Sequence, residues 1–392
     1  MPRPSDRQLP TRNHAPVPDE TTLTSLTVEG TLPTALTGRY VRIGPNPIAP
    51  SATADRRSLD GMVHAVELYA GRAVGYRNRW VTTDIVARTL GTDTVPGPPP
   101  AAVDIVATNV ITFGGRILAL GPGALAYELD EHLATVGRVD LAGRGHGIGA
   151  HPQVDSLTGA LHLISYADEP AHHIVSARSH TRSTRPITDA PGPAEDLLLT
   201  RDRAVLLGDG FAGVTDRAGD ARTRWTGADL AGAFSAHDDG DTVAVLAAGT
   251  SLRYCTIVDA RSEQKVLDAA RQRFGCLSRR VTSARPRFVW TVAATEPDQG
   301  TEIYRHDLRT GERHAHDLGS GRHPGEFTFV PDPARSHCED GGWLIGLVHD
   351  DRRNEADLVV VDAAAIDRPP VATVHIPRRI PYGLHGTWIP AT

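Results

Sequence analysis

Apolar residues along this chain come in short runs, and nearly every run is closed by Gly, Pro, Asp or Asn. Gly115–Leu120 (GRILAL), Ala160–Ser165 (ALHLIS), Arg203–Leu207 (RAVLL), Gly240–Leu246 (GDTVAVL) and Trp343–Val348 (WLIGLV) set the pattern. Runs of about four to eight residues with β-branched members and turn residues on both sides predict strands. A helical period is scarce, and Ser262–Arg273 is the best helix candidate. Laid side by side, the strands repeat a unit: Tyr127–Leu141 (YELDEHLATVGRVDL), Tyr304–Leu318 (YRHDLRTGERHAHDL) and, more loosely, Leu358–Ile376. Each is a strand ending near Asp, a turn, and another strand. Hairpins repeated at intervals of tens of residues predict an all-β propeller more readily than a sandwich.

The Pro/Gly-rich stretches Pro96–Ala102 and Asp189–Ala194 read as connections between blades. No composition shift marks a second domain, so the expectation is a flexible segment over 1–20 and one propeller domain over 21–392.

Composition narrows the function. Of 392 residues, 40% are apolar, and the net charge of −6 is interspersed along the whole length. No basic stripe argues for nucleic acid, which leaves an apolar small molecule as the expected partner. Cys255, Cys276 and Cys338 show no CxxC spacing, against a disulfide framework and for a reducing compartment. The first twenty residues are polar and proline-rich, unlike a signal peptide. No apolar run approaches the ~18 residues of a transmembrane segment. The chain is expected to be cytoplasmic; its surface composition carries no interface signature.

Several segments are less generic. Gly38–Pro47 (GRYVRIGPNP), Leu59–Val66 (LDGMVHAV) and Tyr76–Thr82 lie near the N-terminus, and Ala150–Gly159 (AHPQVDSLTG) in the middle. Gly325–Pro331 (GEFTFVP), Glu339–Trp343, Val361–Ala363 and Ile376–Pro390 (IPRRIPYGLHGTWIP) follow. In this order the chain resembles the carotenoid cleavage oxygenases over nearly its whole length. The resemblance implies a seven-bladed propeller with short capping loops or helices over the top face. It also implies a non-haem Fe(II) on the axis, held by four histidines that second-shell glutamates orient, and cleavage of an alkene by O₂; one branch instead isomerises retinyl esters.

Carried over position by position, that centre is incomplete. His151 and His385 match the first and last ligands. In Glu195–Thr200 (EDLLLT), Glu195 stands where the second histidine is expected. Gly232 stands at the third, a lost ligand position near Ser235–Asp239 (SAHDD), where His237 replaces the motif's aromatic residue. Among second-shell glutamates only Glu326 is kept; Pro122 and Arg273 stand at two others.

Two imidazoles and one carboxylate form a set known for iron oxygenases, so His151, Glu195 and His385 are the ligands if iron binds. Against that, a Glu oxygen reaches roughly an ångström less than a His Nε2, while metal distances tolerate about 0.2 Å. A guanidinium about 6 Å from a dication would cost around 5 kcal/mol at an effective dielectric of ~20. If the metal is gone, Glu195 and Arg273 can pair, and His151, Glu195 and His385 become acid–base catalysts.

The main expectation is therefore a tailoring enzyme without a cofactor, acting on a polyene, terpenoid or aromatic by isomerase-, cyclase- or lyase-like chemistry. The alternatives are an Fe(II)-dependent dioxygenase with a rebuilt His/Glu/His site and a non-catalytic propeller that binds an apolar ligand. Other polar residues read as structural: His172–His173 in a loop or cap, His314 and His316 facing solvent, Asp238–Asp241 in a hairpin turn. Gly143–Gly149 (GRGHGIG) lacks the following helix of a nucleotide-binding loop.

Overall fold

The computed structural model describes residues 12–48, 60–166, 169–217, 222–281, 283–294 and 299–391. Among these, the strands form seven antiparallel sheets, and the protein is a seven-bladed β-propeller. The inner strands of successive blades touch in turn around the axis.

Both chain ends close the ring. Blade one has Gly386–Pro390 innermost, then Gly38–Pro45, Gly61–Tyr69, Arg72–Trp80 and, outermost, Thr21–Leu23. Blades two to six follow in chain order, their inner strands being Asn109–Phe113, the pair Gly147–Ile148 and Gln153–Val154, then Ala194–Leu199, Ala233–Asp239 and Gln272–Cys276. Blade seven runs from Arg322–Pro331 outward to Ala372–Ile376 and takes Thr27–Gly30 as its outermost strand. Each end thus covers a sheet edge that would otherwise present unpaired backbone groups.

Alternation along the strands builds the core. In Gly38–Pro45, Tyr40 joins the apolar cluster shared with blade seven (Ile345, Leu358, Val374). Its neighbours Val41 and Ile43 join the cluster shared with blade two (Val110, Tyr127). Successive side chains point to opposite faces, so a strand buried on both faces reads as a continuous apolar run, as Gly342–Asp350 does. Full burial of each Val, Leu or Ile contributes about 1.5–3 kcal/mol. Trp290, between blades six and seven, stacks on Phe329 at 5.1 Å and donates its indole N–H to the Ala363 carbonyl (3.0 Å).

Several expectations change. Ser262–Arg273 is not a helix: Arg261–Asp268 pairs with Leu252–Val258 as the outer strand of blade five, and Gln272 opens the inner strand of blade six. An outermost strand has one solvated face, and its polar residues mimicked an amphipathic period. The α-helix among the described residues is Asp84–Leu90, which Thr83 caps by accepting from the Val86 amide at 3.4 Å. It buries Val86 against Met62 and Trp80. His172 and His173 lie on a buried strand, not in a loop. His314 is exposed, but His316 is buried. Within 1–20, residues 12–20 are tied down: Asn13 is buried, Val17 exchanges hydrogen bonds with the Asn46 side chain, and Asp19 pairs with Arg378. Residues 1–11 and Leu59 lie outside the described residues. No helix among the described residues is long and apolar enough to cross a membrane.

Candidate active site

His385 and His151 reach the axis from blades one and three. His385 precedes the inner strand of blade one, its N–H donating to Thr108 O (3.2 Å) and its carbonyl accepting from the Ile43 amide (3.1 Å). His151 sits between the two short strands of blade three, where the Asn109 amide donates to Ala150 O at 2.9 Å. The two imidazole centroids lie 4.8 Å apart with the rings at 87°.

A carboxylate meets Nδ1 of each ring. Asp196 Oδ1 is 2.6 Å from His151 Nδ1, and Glu326 Oε1 is 3.2 Å from His385 Nδ1. Glu326 Oε2 also accepts from the Gly386 amide (2.7 Å), and its carbonyl accepts from the Tyr40 hydroxyl (3.0 Å). Each carboxylate fixes a proton on Nδ1 and leaves Nε2 as the lone-pair nitrogen. His151 Nε2 is buried and has no hydrogen-bond partner among the described residues. Burial works against a charged His385, but the Glu326 carboxylate outweighs it and holds the ring above its ordinary pKa.

Backbone bulges aim these groups. In blade four, Ala194 pairs with Gly208 and Asp196 with Leu207, leaving Glu195 as the extra residue. Glu195 is exposed, and the carboxylate that meets His151 is Asp196. Blade five repeats the irregularity between Ala233 and Ser235, which equates Phe234 with Glu195. Gly232 lies in the preceding turn at φ +77°, where a Cβ would come 1.9 Å from Ala248 O. A side chain is sterically barred there, so Gly232 marks no ligand position in this backbone. In blade seven the bulge between Pro324 and Phe327 frees Gly325 and Glu326. A Cβ on Gly325 would meet Arg42 Nη1 at 2.8 Å.

Blade six supplies different chemistry. Phe274 sits at φ +53° within the bulge between Arg273 and Cys276. Its ring meets His385 edge-on, centroids 6.4 Å apart. The Arg273 guanidinium lies 4.9 Å from the Phe274 ring centre. Arg273 makes no ion pair with Glu195; no carboxylate lies within 4.0 Å of it among the described residues. His237 donates to or accepts from the Tyr254 hydroxyl at 3.1 Å, and Pro122 is exposed in a turn. Sequence reasoning missed Asp196 and Phe274, although Asp196 stood beside the chosen Glu195 in one motif. Leu198, Phe234, Gly275, Cys276 and Ser283, from blades four to six, help line a cavity of about 180 Å³.

Among the described residues no group of three or more His, Cys, Asp or Glu is placed to hold a metal. The four-imidazole set implied by resemblance is therefore not present there. The pair His151–His385 does fit an ion. Imidazoles bound at about 2.1 Å in adjacent positions of one ion bring their centroids to roughly 4.5–5 Å, and ligating histidines characteristically carry a carboxylate on the other nitrogen.

The family model described as retinal pigment epithelial membrane protein matches residues 14–211 and 229–390. A carotenoid cleavage oxygenase of Mycobacterium tuberculosis is 30% identical, over 96% of this chain and 96% of its own. The chain belongs to the carotenoid cleavage oxygenase family. That alignment runs over 489 positions, more than this chain's 392 residues, so the relative carries insertions. Two solved structures share the fold at a TM-score of 0.84: cobalt-substituted Synechocystis ACO (20% identity, 97% of this chain and 98% of that one) and Pseudomonas brassicacearum lignostilbene dioxygenase (22%, 96% and 97%). These relatives turn the balance from the metal-free expectation toward the oxygenase alternative.

Proposed function

We propose that this protein is an oxygenase that cleaves a carbon–carbon double bond of an apolar conjugated substrate, at a metal ion held by His151 and His385. The observation that carries the reading is the perpendicular pair of imidazoles, each bonded at Nδ1 to a carboxylate, with His151 Nε2 buried and unpartnered. Iron(II), when bound there, supplies the activation of dioxygen toward the alkene. Asp196 and Glu326 keep Nδ1 protonated and hold both rings in place, so that little reorganisation is needed when ligands arrive. Phe274 gives the site an apolar wall beside His385. The absence of the relative's insertions supports a shorter cap over the top face, and three unpaired cysteines support a reducing compartment such as the cytoplasm.

The test is metal content by mass spectrometry on untagged protein grown with iron, beside cleavage of an apocarotenal in air. Near-stoichiometric iron that His151→Ala and His385→Ala each abolish, with cleavage lost in parallel, is the expected result. Iron retained by the double variant, or no iron and no cleavage in the wild type, overturns the reading. A metal-free acid–base reaction is favoured by one observation, the two-nitrogen donor set. Since Glu195 is exposed, the acid in that case is His385, and turnover would survive anaerobiosis and chelation.

A further inference from the structure

We propose that Arg273 anchors the anionic end of the substrate, so that the protein takes an apolar conjugated molecule bearing a carboxylate. The inference rests on the preceding reading only in placing the reacting bond at the His151–His385 centre.

Among the described residues, other buried or half-buried arginines have a carboxylate or carbonyl acceptor for the guanidinium, although Arg42, Arg253 and Arg305 each leave Nε without one. Arg138 meets Asp84 at 2.7 Å, Arg305 meets Asp340 at 2.6 Å, and Arg253 meets Asp229 at 3.2 Å. Arg42, fully buried, donates to the Pro381 carbonyl at 2.6 Å. Arg273 has no such partner among the described residues. Its Nε is buried without an acceptor. Its guanidinium lies over an aromatic face, the Phe274 ring, at 4.9 Å. Burial pulls its pKa down, and the group acting in the other direction is the Tyr382 hydroxyl, not a carboxylate. The two acids nearest the centre, Asp196 and Glu326, are committed to the two histidines.

A half-buried guanidinium without a counter-charge is costly to keep, and this one is kept beside the reactive centre. Phe274 links the two: one contact with the guanidinium, the other with the His385 ring edge. The left-handed region is strained for a bulky residue, and Phe274 takes up that conformation at φ +53°. Strain of this kind persists where the surroundings over-determine it, characteristically at ligand sites. The ligand chemistry follows from the donor. A guanidinium is a planar fork of N–H donors that matches a carboxylate in bidentate fashion. A neutral hydroxyl or carbonyl would leave the charge largely uncompensated.

The probes are all-trans-retinoic acid and its methyl ester, which differ in charge but hardly in shape, titrated against the wild-type protein by quenching of tryptophan fluorescence. The acid is expected to bind at least about tenfold more tightly than the ester, the ordinary size of a charge-assisted hydrogen bond in a partly open site. Arg273→Met should bring the two within about twofold while leaving ester affinity unchanged, which also shows that the variant is folded. Arg273→Lys should keep part of the preference. Equal affinities in the wild type, a preference that survives Arg273→Met, or binding of neither probe overturns the proposal. If His385→Ala removes the preference and Arg273→Met does not, the carboxylate is bound by the centre and the proposal also fails. Cleavage of an uncharged apocarotenal tests the oxygenase reading separately, because these titrations require no turnover.

Discussion

Around the axis, blades one, three, four and seven bring His385, His151, Asp196 and Glu326 together, and each imidazole is bonded to a carboxylate across a blade boundary. Blades five and six use the same bulged inner strand to present Phe234, Phe274 and Arg273. On that side the contacts are aromatic and cation–π, and the cation has no acid. The backbone plan is shared; the side chain placed on the bulge decides whether a blade offers a donor or a wall. A second contrast runs among the histidines. His151 and His385 have carboxylate partners, whereas His162, His172 and His173 are buried in blade three against one another and against the Ser165 and Thr184 hydroxyls. Such rings must stay neutral for the blade to remain closed.

Replacing the donors has the largest effect. His151→Ala or His385→Ala should reduce cleavage to background and remove bound iron, as metal analysis and product chromatography will show, while leaving the far-ultraviolet circular dichroism of the propeller intact. Next comes pH. Burial holds His162, His172 and His173 below the ordinary 6.5, at about 4, about 3 and about 4. As pH falls, the unfolded chain therefore takes up protons before the folded one. The stability these rings contribute is present above pH 6.5 and is lost as pH falls toward about 4, a decline on the order of 3 kcal/mol for each ring. Urea unfolding across that range measures it, and His172→Phe should flatten the curve; a curve already flat in the wild type would contradict the neutral-blade account.

A finer test separates adjacent acids. Asp196→Asn should lower metal affinity by about 10–100-fold, the ordinary cost of losing a carboxylate behind a ligand, whereas Glu195→Gln should change it less than about twofold. Competition with a fluorescent chelator reads both; equal losses would place Glu195 back at the centre. The smallest effect concerns strain. Phe274→Gly and Phe274→Ala both lose the ring, but only glycine relaxes the left-handed backbone, so the glycine variant should be more stable by about 1 kcal/mol. Thermal denaturation of the pair decides it, and an equal midpoint would mean that the bulge re-forms without strain.

The chain by itself determined the propeller. Short apolar runs closed by turn residues, and hairpins such as Tyr127–Leu141 and Tyr304–Leu318, require many small antiparallel sheets, because that pattern buries apolar side chains only between neighbouring blades. His151, His385 and Glu326 were legible because their local motifs persist around them. What tertiary structure decided turns on single residues of register. A bulge inserts one residue and reverses which side chain faces the axis, which is why Asp196 and not Glu195 meets His151 and why Phe234 and Phe274 occupy the opposite wall. No periodicity marks a bulge in advance. The Glu195–Arg273 pair failed for the same reason: each residue suited the partnership in charge, but their positions lie on blades whose bulges turn them apart. Strand Arg261–Asp268 and the buried His172 and His173 were misread because burial at the edge or centre of a blade depends on which neighbour arrives from elsewhere in the chain. Ring closure is the extreme case, since Gly386–Pro390 and Gly38–Pro45 meet only when all seven blades are in place.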